Sequence, residues 1–216
     1  MDITQLILDD HHEQRRLFAI LEQVDPRDTQ TLTAVWDRLA AFLELHAAAE
    51  EAIFYPALLQ VGLSTGRKDA EESETIDAIH DHNEIRDTIA AVPPEDVGSD
   101  GWYAAIAAVN KANGDHMAEE EREGLTDFRR YTGLQLRHDL AVTFAAFEAT
   151  HYTGVTPVDK DPAEYVREAE QGSLPLDSLG GQSGSRPPGP AARPGGSAAR
   201  PGGSDGSLSI GSLKEG

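Results

Sequence analysis

The chain has no cysteine among its 216 residues. That excludes disulfides, thiolate zinc sites, iron–sulfur clusters and cysteine nucleophiles. Positive charge is also scarce: 18 Lys and Arg stand against 38 Asp and Glu, a formal net charge of -20. Such a surface repels phosphate backbones and anionic lipid, so neither nucleic acid nor a membrane surface is an expected partner. No apolar run reaches membrane-spanning length, and Met1-Asp2-Ile3-Thr4 lacks the basic stretch of a secretory leader. The expected location is therefore the cytoplasm. The Gly-x-Ser-x-Gly pattern occurs as Gly62-Leu63-Ser64-Thr65-Gly66 and Gly202-Gly203-Ser204-Asp205-Gly206, but neither follows a segment that reads as a strand, the context a nucleophilic serine elbow needs, so Ser/His/Asp catalysis has no support.

What is present is helical pattern followed by low complexity. Up to Gln171-Gly172, Ala, Leu, Glu and Ile recur at helical spacing, and no segment reads as a strand. The pattern predicts helices over about Thr4–Val24, Thr31–Val61, Ala70–Val92 and, after Gly98-Ser99-Asp100-Gly101, up to about Tyr131, with a shorter one over Leu134–His151. Asp25-Pro26, Gly62 and Pro93-Pro94 supply stops, and Pro56 marks a kink or a last turn in the second helix. Long helices with moderate loops predict an all-α fold, an up-down-up-down four-helix bundle with an additional C-terminal helix. We assign residues 1–155 to this bundle. Residues 156–204 are dominated by Pro, Gly and Ser, as in Arg186-Pro187-Pro188-Gly189-Pro190, and are expected to form a flexible, disordered linker. Residues 205–216 are set apart as a terminal peptide.

Four histidines, His11, His46, His82 and His116, are separated by 35, 36 and 34 residues, one in each long helix. In an up-down bundle this spacing places them at one level. Their facing carries more weight. His11 aligns with Ile7 and Phe18, His46 with Leu39, Phe42 and Ile53, His82 with Ile79, Ile85 and Ile89, and His116 with Ile106, Val109 and Asn113. All four are thus expected to point into the core. His12 and His80 share faces with charged residues and are expected in solvent. Glu50 and Glu120 follow His46 and His116 by four positions, one turn along the same face. A lone core histidine is more often a hydrogen-bonded structural residue, and runs such as Glu50-Glu51 or Glu119-Glu120-Glu121 are usually solvated. Two glutamates and four histidines converging in one core, however, need a partner for buried charge. A metal pair provides it, and histidine with carboxylate suits iron best, manganese or zinc being alternatives.

Asp10-His11, His46-Ala-Ala-Ala-Glu50-Glu51 followed by Ile53-Phe54-Tyr55-Pro56, Asp81-His82, and His116-Met-Ala-Glu-Glu120-Glu121 resemble the hemerythrin-like HHE cation-binding family over about residues 3–130. The resemblance implies a non-haem centre of two iron ions, with His11, His46, His82 and His116 as terminal ligands and Glu50 and Glu120 as bridges. It also implies dioxygen binding or reaction with small oxidants such as peroxide or nitric oxide. One departure stands out. Oxygen-carrying members place two histidines four apart in the third helix, whereas the residues four away from His82 are Ala78 and Arg86. His80, His151 or Tyr55 could supply a late ligand.

The terminal peptide interrupts the linker with Leu208, Ile210 and Leu213, spaced to enter separate pockets as an extended strand that turns at Gly211. Leu208-Ser209-Ile210-Gly211-Ser212-Leu213 resembles the cargo-loading peptides of encapsulin shells, whose core is Leu-x-Ile/Val-Gly-Ser-Leu. The resemblance implies Leu208, Ile210, Gly211, Ser212 and Leu213 as shell-docking residues, and packaging in an encapsulin nanocompartment with a role against oxidative or nitrosative stress. Two other readings compete: an encapsulated ferritin-like ferroxidase, which needs Glu-x-x-His on two helices where this chain has Glu148-x-x-His151 alone, and a bundle whose histidines are structural. Pairing of bundles into a homodimer is a further expectation.

Overall fold

The computed structural model describes residues 1–172; the remainder of the 156–204 segment and the 205–216 peptide lie outside the described residues. Eight α-helices are described: α1 (Ile3–Gln23), α2 (Thr29–Ala49), α3 (Tyr55–Thr65), α4 (Lys68–Ala90), α5 (Asp100–Arg122), α6 (Gly124–Tyr131), α7 (Leu134–Thr150) and α8 (Pro162–Gly172). A π turn, Glu50–Phe54, joins α2 to α3. No strand occurs among the described residues, and none of their helices is long and apolar enough to cross a membrane.

Local chemistry accounts for the helix starts. Asp2 accepts a hydrogen bond from the Thr4 amide, Asp28 from the Thr31 amide and Ser99 from the Trp102 amide. Each side chain satisfies an amide that a first helical turn leaves unpaired. Gly66 ends α3 at φ 74°, a left-handed conformation that glycine adopts without a Cβ penalty.

Helices α1, α2 continuing into α3, α4 and α5 form the four-helix bundle, neighbouring rods packed side by side. Helix α7 covers α1 and α2, and α8 lies on α4 and α3. Three boundaries differ from the sequence expectation. The second rod is continuous but divided by the π turn. The fourth breaks at Glu123, with φ -110° and ψ -77°, and resumes as α6; the Gly124 amide there donates to Glu74 Oε1 at 3.2 Å. The third difference is α8, which occupies part of the segment assigned to linker. Its start is chemically legible: Asp161 accepts from the Glu164 amide at 2.8 Å, and Pro162 takes the first helical position. Val166 is buried, so the bundle extends past residue 155, up to the composition break at Gln171-Gly172.

The core falls into two apolar clusters with a polar layer between them. One holds Ile3, Ile7, Phe54, Leu58, Phe128, Leu140 and Phe144. The other holds Leu17, Leu21, Leu32, Leu39, Leu43, Trp102 and Val109. Along every rod the residues between the clusters are polar and buried: His11 and Gln14 in α1, His46 in α2, His82 in α4, Asn113 and His116 in α5.

Candidate metal centre

The layer is built by one turn from each rod. His11 is 0 % exposed, His46 4 %, His82 1 % and His116 3 %, with Glu50 at 0 % and Glu120 at 1 %. All six residues singled out in the sequence therefore reach the same interior. His12 and His80 stay in solvent.

Their ligand atoms fall into two groups that share Glu50. His11, His46 and Glu50 form one, with ligand atoms all within 4.8 Å of one another; Glu50, His82 and His116 form the other to the same limit. Glu50 Oε1 lies 2.9 Å from His46 Nε2, and its Oε2 lies 3.3 Å from His82 Nε2. Each carboxylate oxygen thus faces a different histidine pair. Glu120 approaches the first group through Oε2, 3.3 Å from His11 Nε2, while its Oε1 accepts a hydrogen bond from the Tyr55 hydroxyl at 2.9 Å.

The outer nitrogens follow a rule of their own. His11 Nδ1 meets Glu121 at 3.0 Å, His46 Nδ1 meets Asp10 at 3.2 Å, His82 Nδ1 meets Glu51 at 2.9 Å, and His116 Nδ1 faces Asp81 at 3.6 Å. The acids run round the bundle: α1 supplies the one for α2, the π turn for α4, α4 for α5, and α5 for α1. A carboxylate only accepts, so a neutral imidazole places its proton on Nδ1 and turns the Nε2 lone pair inward. Carboxylate–histidine pairing of this kind is the usual outer support of metal-ligating imidazoles.

The inner atoms fit a cation and little else. His11 Nε2, His46 Nε2, both oxygens of Glu50 and Glu120 Oε2 are buried without a hydrogen bond. The 2.9 Å approach of His46 to Glu50 lacks hydrogen-bond geometry, and His82 Nε2 lies 3.1 Å from His116 Nε2. Lone pairs and anionic oxygens crowded in this way repel one another unless positive charge lies among them.

Protons supply that charge in the metal-free chain. Burial pulls the His82 pKa down, but the close carboxylates of Glu50 and Glu51 outweigh it, and the pKa is raised to about 9. His46 is raised well above its usual 6.5 against burial, by Glu50 and Asp10, and His11 is raised by Glu120 and Glu121. Burial works against ionisation of Glu51, yet His82, Arg86 and Lys160 hold it at about 2; the His11 hydrogen bond does the same for Glu121. Burial and the charges of Glu120 and Glu50 push the Tyr55 phenol well above 10.

The π turn explains how Tyr55 reaches this layer. Pro56 has no amide and its ring clashes with the α-helical carbonyl four residues back. The turn instead widens to a bond from the Tyr55 amide to the Glu50 carbonyl, five residues apart. Glu50, Glu51 and Tyr55 are all buried as a result. Of the three late ligands considered, only Tyr55 stands at the site. His80 is exposed beside Asp81, and His151 caps α7 with its ring stacked on Phe147 at 4.2 Å. The four orienting acids were not singled out as a set, although each adjoins a candidate ligand: Asp10 precedes His11, Asp81 precedes His82, and Glu51 and Glu121 follow Glu50 and Glu120. One step along a helix is a rotation of about 100°, which carries the acid from the core face to the seam with the next rod.

The sequence profile of the Hemerythrin HHE cation binding domain matches residues 2–125, a span that contains all six inward residues and their four acids. No curated protein and no solved structure matches the chain significantly. With that profile covering more than half of its length, and two buried histidine–carboxylate groups where a cation would sit, the chain belongs to the hemerythrin HHE cation-binding family.

Proposed function

We propose that this protein holds two iron ions in its polar layer and uses them to bind dioxygen or to react with small oxidants such as peroxide or nitric oxide. The observation that carries the reading is the pair of buried groups joined by Glu50, with a carboxylate facing every outer imidazole nitrogen. His11 and His46 would hold one ion and His82 and His116 the other, with Glu50 shared by the two groups and Glu120 beside them as a further donor. Histidine and carboxylate donors favour iron among the common divalent metals of this geometry class. A ferrous pair supplies electrons and open coordination positions to a small oxidant. The protein supplies the rest: fixed imidazoles, a buried layer, and the Tyr55 hydroxyl held on Glu120. The two α4 positions four away from His82, where a fifth imidazole would stand, carry Ala78 and Arg86, and the Arg86 guanidinium is tied to Glu44 and Glu51. That favours reaction over simple reversible carriage.

The ferroxidase alternative is not favoured, because His151 packs on Phe147 and donates nothing to the buried groups. The cargo reading rests on the likeness of Leu208, Ile210, Gly211, Ser212 and Leu213 to encapsulin-loading peptides, with the preceding chain as a tether; it proposes that the protein works inside such a shell against oxidative or nitrosative stress.

Metal analysis of the full chain is expected to give about two irons, lost together in Glu50→Ala. Spectra under nitrogen, under air and after peroxide then distinguish a stable reversible band from turnover. A chain that binds no iron after anaerobic loading refutes the centre. For the tail, deleting residues 205–216 is expected to leave iron binding intact and abolish co-purification with a co-expressed encapsulin shell. Continued packaging of the truncated chain refutes the cargo role.

A further inference from the structure

The π turn leaves one backbone group without its natural partner. In the five-residue frame of that turn the Glu51 carbonyl would accept from the amide of residue 56, and Pro56 has none. The Tyr165 hydroxyl of α8 takes that place, donating to Glu51 O at 2.6 Å. The Glu51 side chain is held from the same direction. Lys160 Nζ lies 2.5 Å from its Oε2, while Oε1 receives His82 Nδ1 at 2.9 Å and Arg86 Nη2 at 2.8 Å. Lys160 is itself fixed, since Asn83 donates to its carbonyl at 2.7 Å and accepts from its amide at 3.1 Å. Asn83 is the residue after His82. The segment from Lys160 to Tyr165 therefore holds Glu51 by its backbone and its side chain, and holds the residue that follows His82.

We infer that the Lys160–Tyr165 segment is a clasp, in which the Tyr165 hydroxyl and the Lys160 ammonium lock Glu51 in the position that orients His82 toward Glu50 and His116. Both are positioning residues for one half of the metal centre. The geometry gives a reason for each. Without Lys160, the Glu51 carboxylate is free to rotate both oxygens onto Arg86 and release His82. Without the Tyr165 hydroxyl, a carbonyl in a part-buried turn is left unpaired, and the turn gains by relaxing. A brace that merely held α8 to the bundle would not need to contact the histidine-orienting carboxylate at both its backbone and its side chain.

The functional consequence rests on the metal-centre reading, so the test carries two readouts on the full-length chain. Tyr165→Phe, Lys160→Met and Lys160→Arg are compared with wild type and with Arg167→Ala, an exposed change on the same helix. Iron-loaded protein is mixed with a ferrous chelator and the release rate followed. Release is expected to rise about ten-fold in Tyr165→Phe and Lys160→Met, to return toward wild type in Lys160→Arg, and to be unchanged in Arg167→Ala. In the metal-free chain, amide exchange at Phe54 and Tyr55 is expected to quicken about two- to ten-fold in Tyr165→Phe. Lowered thermal stability with unchanged release makes α8 a brace only and overturns the inference. Should wild type hold no iron, the metal reading falls separately, and the exchange decides the clasp: unchanged exchange overturns it, faster exchange upholds it.

Discussion

Each imidazole of the layer works with two partners, one inside and one outside, and the outer one sets what the inner one can do. Glu121 shows this most simply. It sits 3.0 Å from His11 Nδ1, and Arg15 donates to the same oxygen at 2.8 Å from the solvent side. As an anion it draws the His11 proton to Nδ1 and raises the electron density at Nε2. Glu121→Gln keeps an acceptor but removes the charge. Metal affinity, measured by competition with a chelator of known strength, is expected to fall about ten-fold. Glu121→Leu should fall further, since it also frees the ring to choose the other tautomer. The metal-free chain should also lose some thermal stability in Glu121→Gln above pH 4.5, where the carboxylate pairs with the buried His11 ring, while its ion pair with Arg15 lies near water and adds little. Affinity in both variants equal to that of wild type would show that the outer carboxylate does not tune the ligand.

Among the elements, the π turn couples fold to site most directly. A regular α-helix through Glu50–Phe54 would rotate everything after Glu50 relative to His46 and move Tyr55 off the polar layer. Pro56 prevents that. Pro56→Ala restores an amide that can bond to Ala52 in α-helical register, and the turn is then free to convert. The metal-free variant is expected to melt a few degrees higher while its iron affinity falls, measured by calorimetry and metal analysis on the same samples. Higher melting with undiminished affinity would show that the turn is incidental to the centre. The sequence carried the four rods, their inward faces and the six buried residues, because helical period and single-turn spacing are local properties. Pro56 was visible too, but only as a kink, since periodicity does not say whether a proline breaks, bends or widens a helix. The break at Glu123 left no signal, having neither proline nor a left-handed glycine. Helix α8 was missed for a different reason: Asp161-Pro162 is a fair start signal, but the Pro/Gly/Ser composition beyond Gly172 governed the reading of the whole segment. The orienting acids were hidden because a carboxylate one residue from a ligand looks, in sequence, like an ordinary solvated charge.

At the scale of the whole molecule, the polar layer makes stability depend on pH in opposite ways with and without metal. In the metal-free chain, His82 has its pKa raised to about 9, and His46 and His11 are raised above the usual 6.5. Protonation of these groups favours the folded state, so their contribution is complete below about pH 6.5 and lost as pH rises through their folded values. Glu51 and Glu121, held at about 2 against a usual 4.5, contribute above pH 4.5 and lose that contribution as pH falls toward 2. Glu74 and Glu148 act the other way. Burial and neighbouring acids raise them to about 8 and about 7, so ionising them above pH 4.5 costs the folded state progressively. Together they place the greatest stability of the metal-free chain near pH 4.5, with a decline above it from Glu74 and Glu148 that steepens past about pH 6.5 as the imidazoles begin to lose their protons. Metal binding reverses the upper limb, because a cation competes with the imidazole protons and gains as they leave. The difference in melting temperature between iron-loaded and chelator-stripped protein is therefore expected to be smallest near pH 5.5 and to widen toward pH 8.5. Anaerobic thermal scans across this range, with matched buffers and ferrous iron in fixed excess, measure it directly. A difference that stays flat or narrows with rising pH would mean that the buried imidazoles do not exchange protons for metal, and the polar layer would then be a hydrogen-bonded core rather than a metal centre.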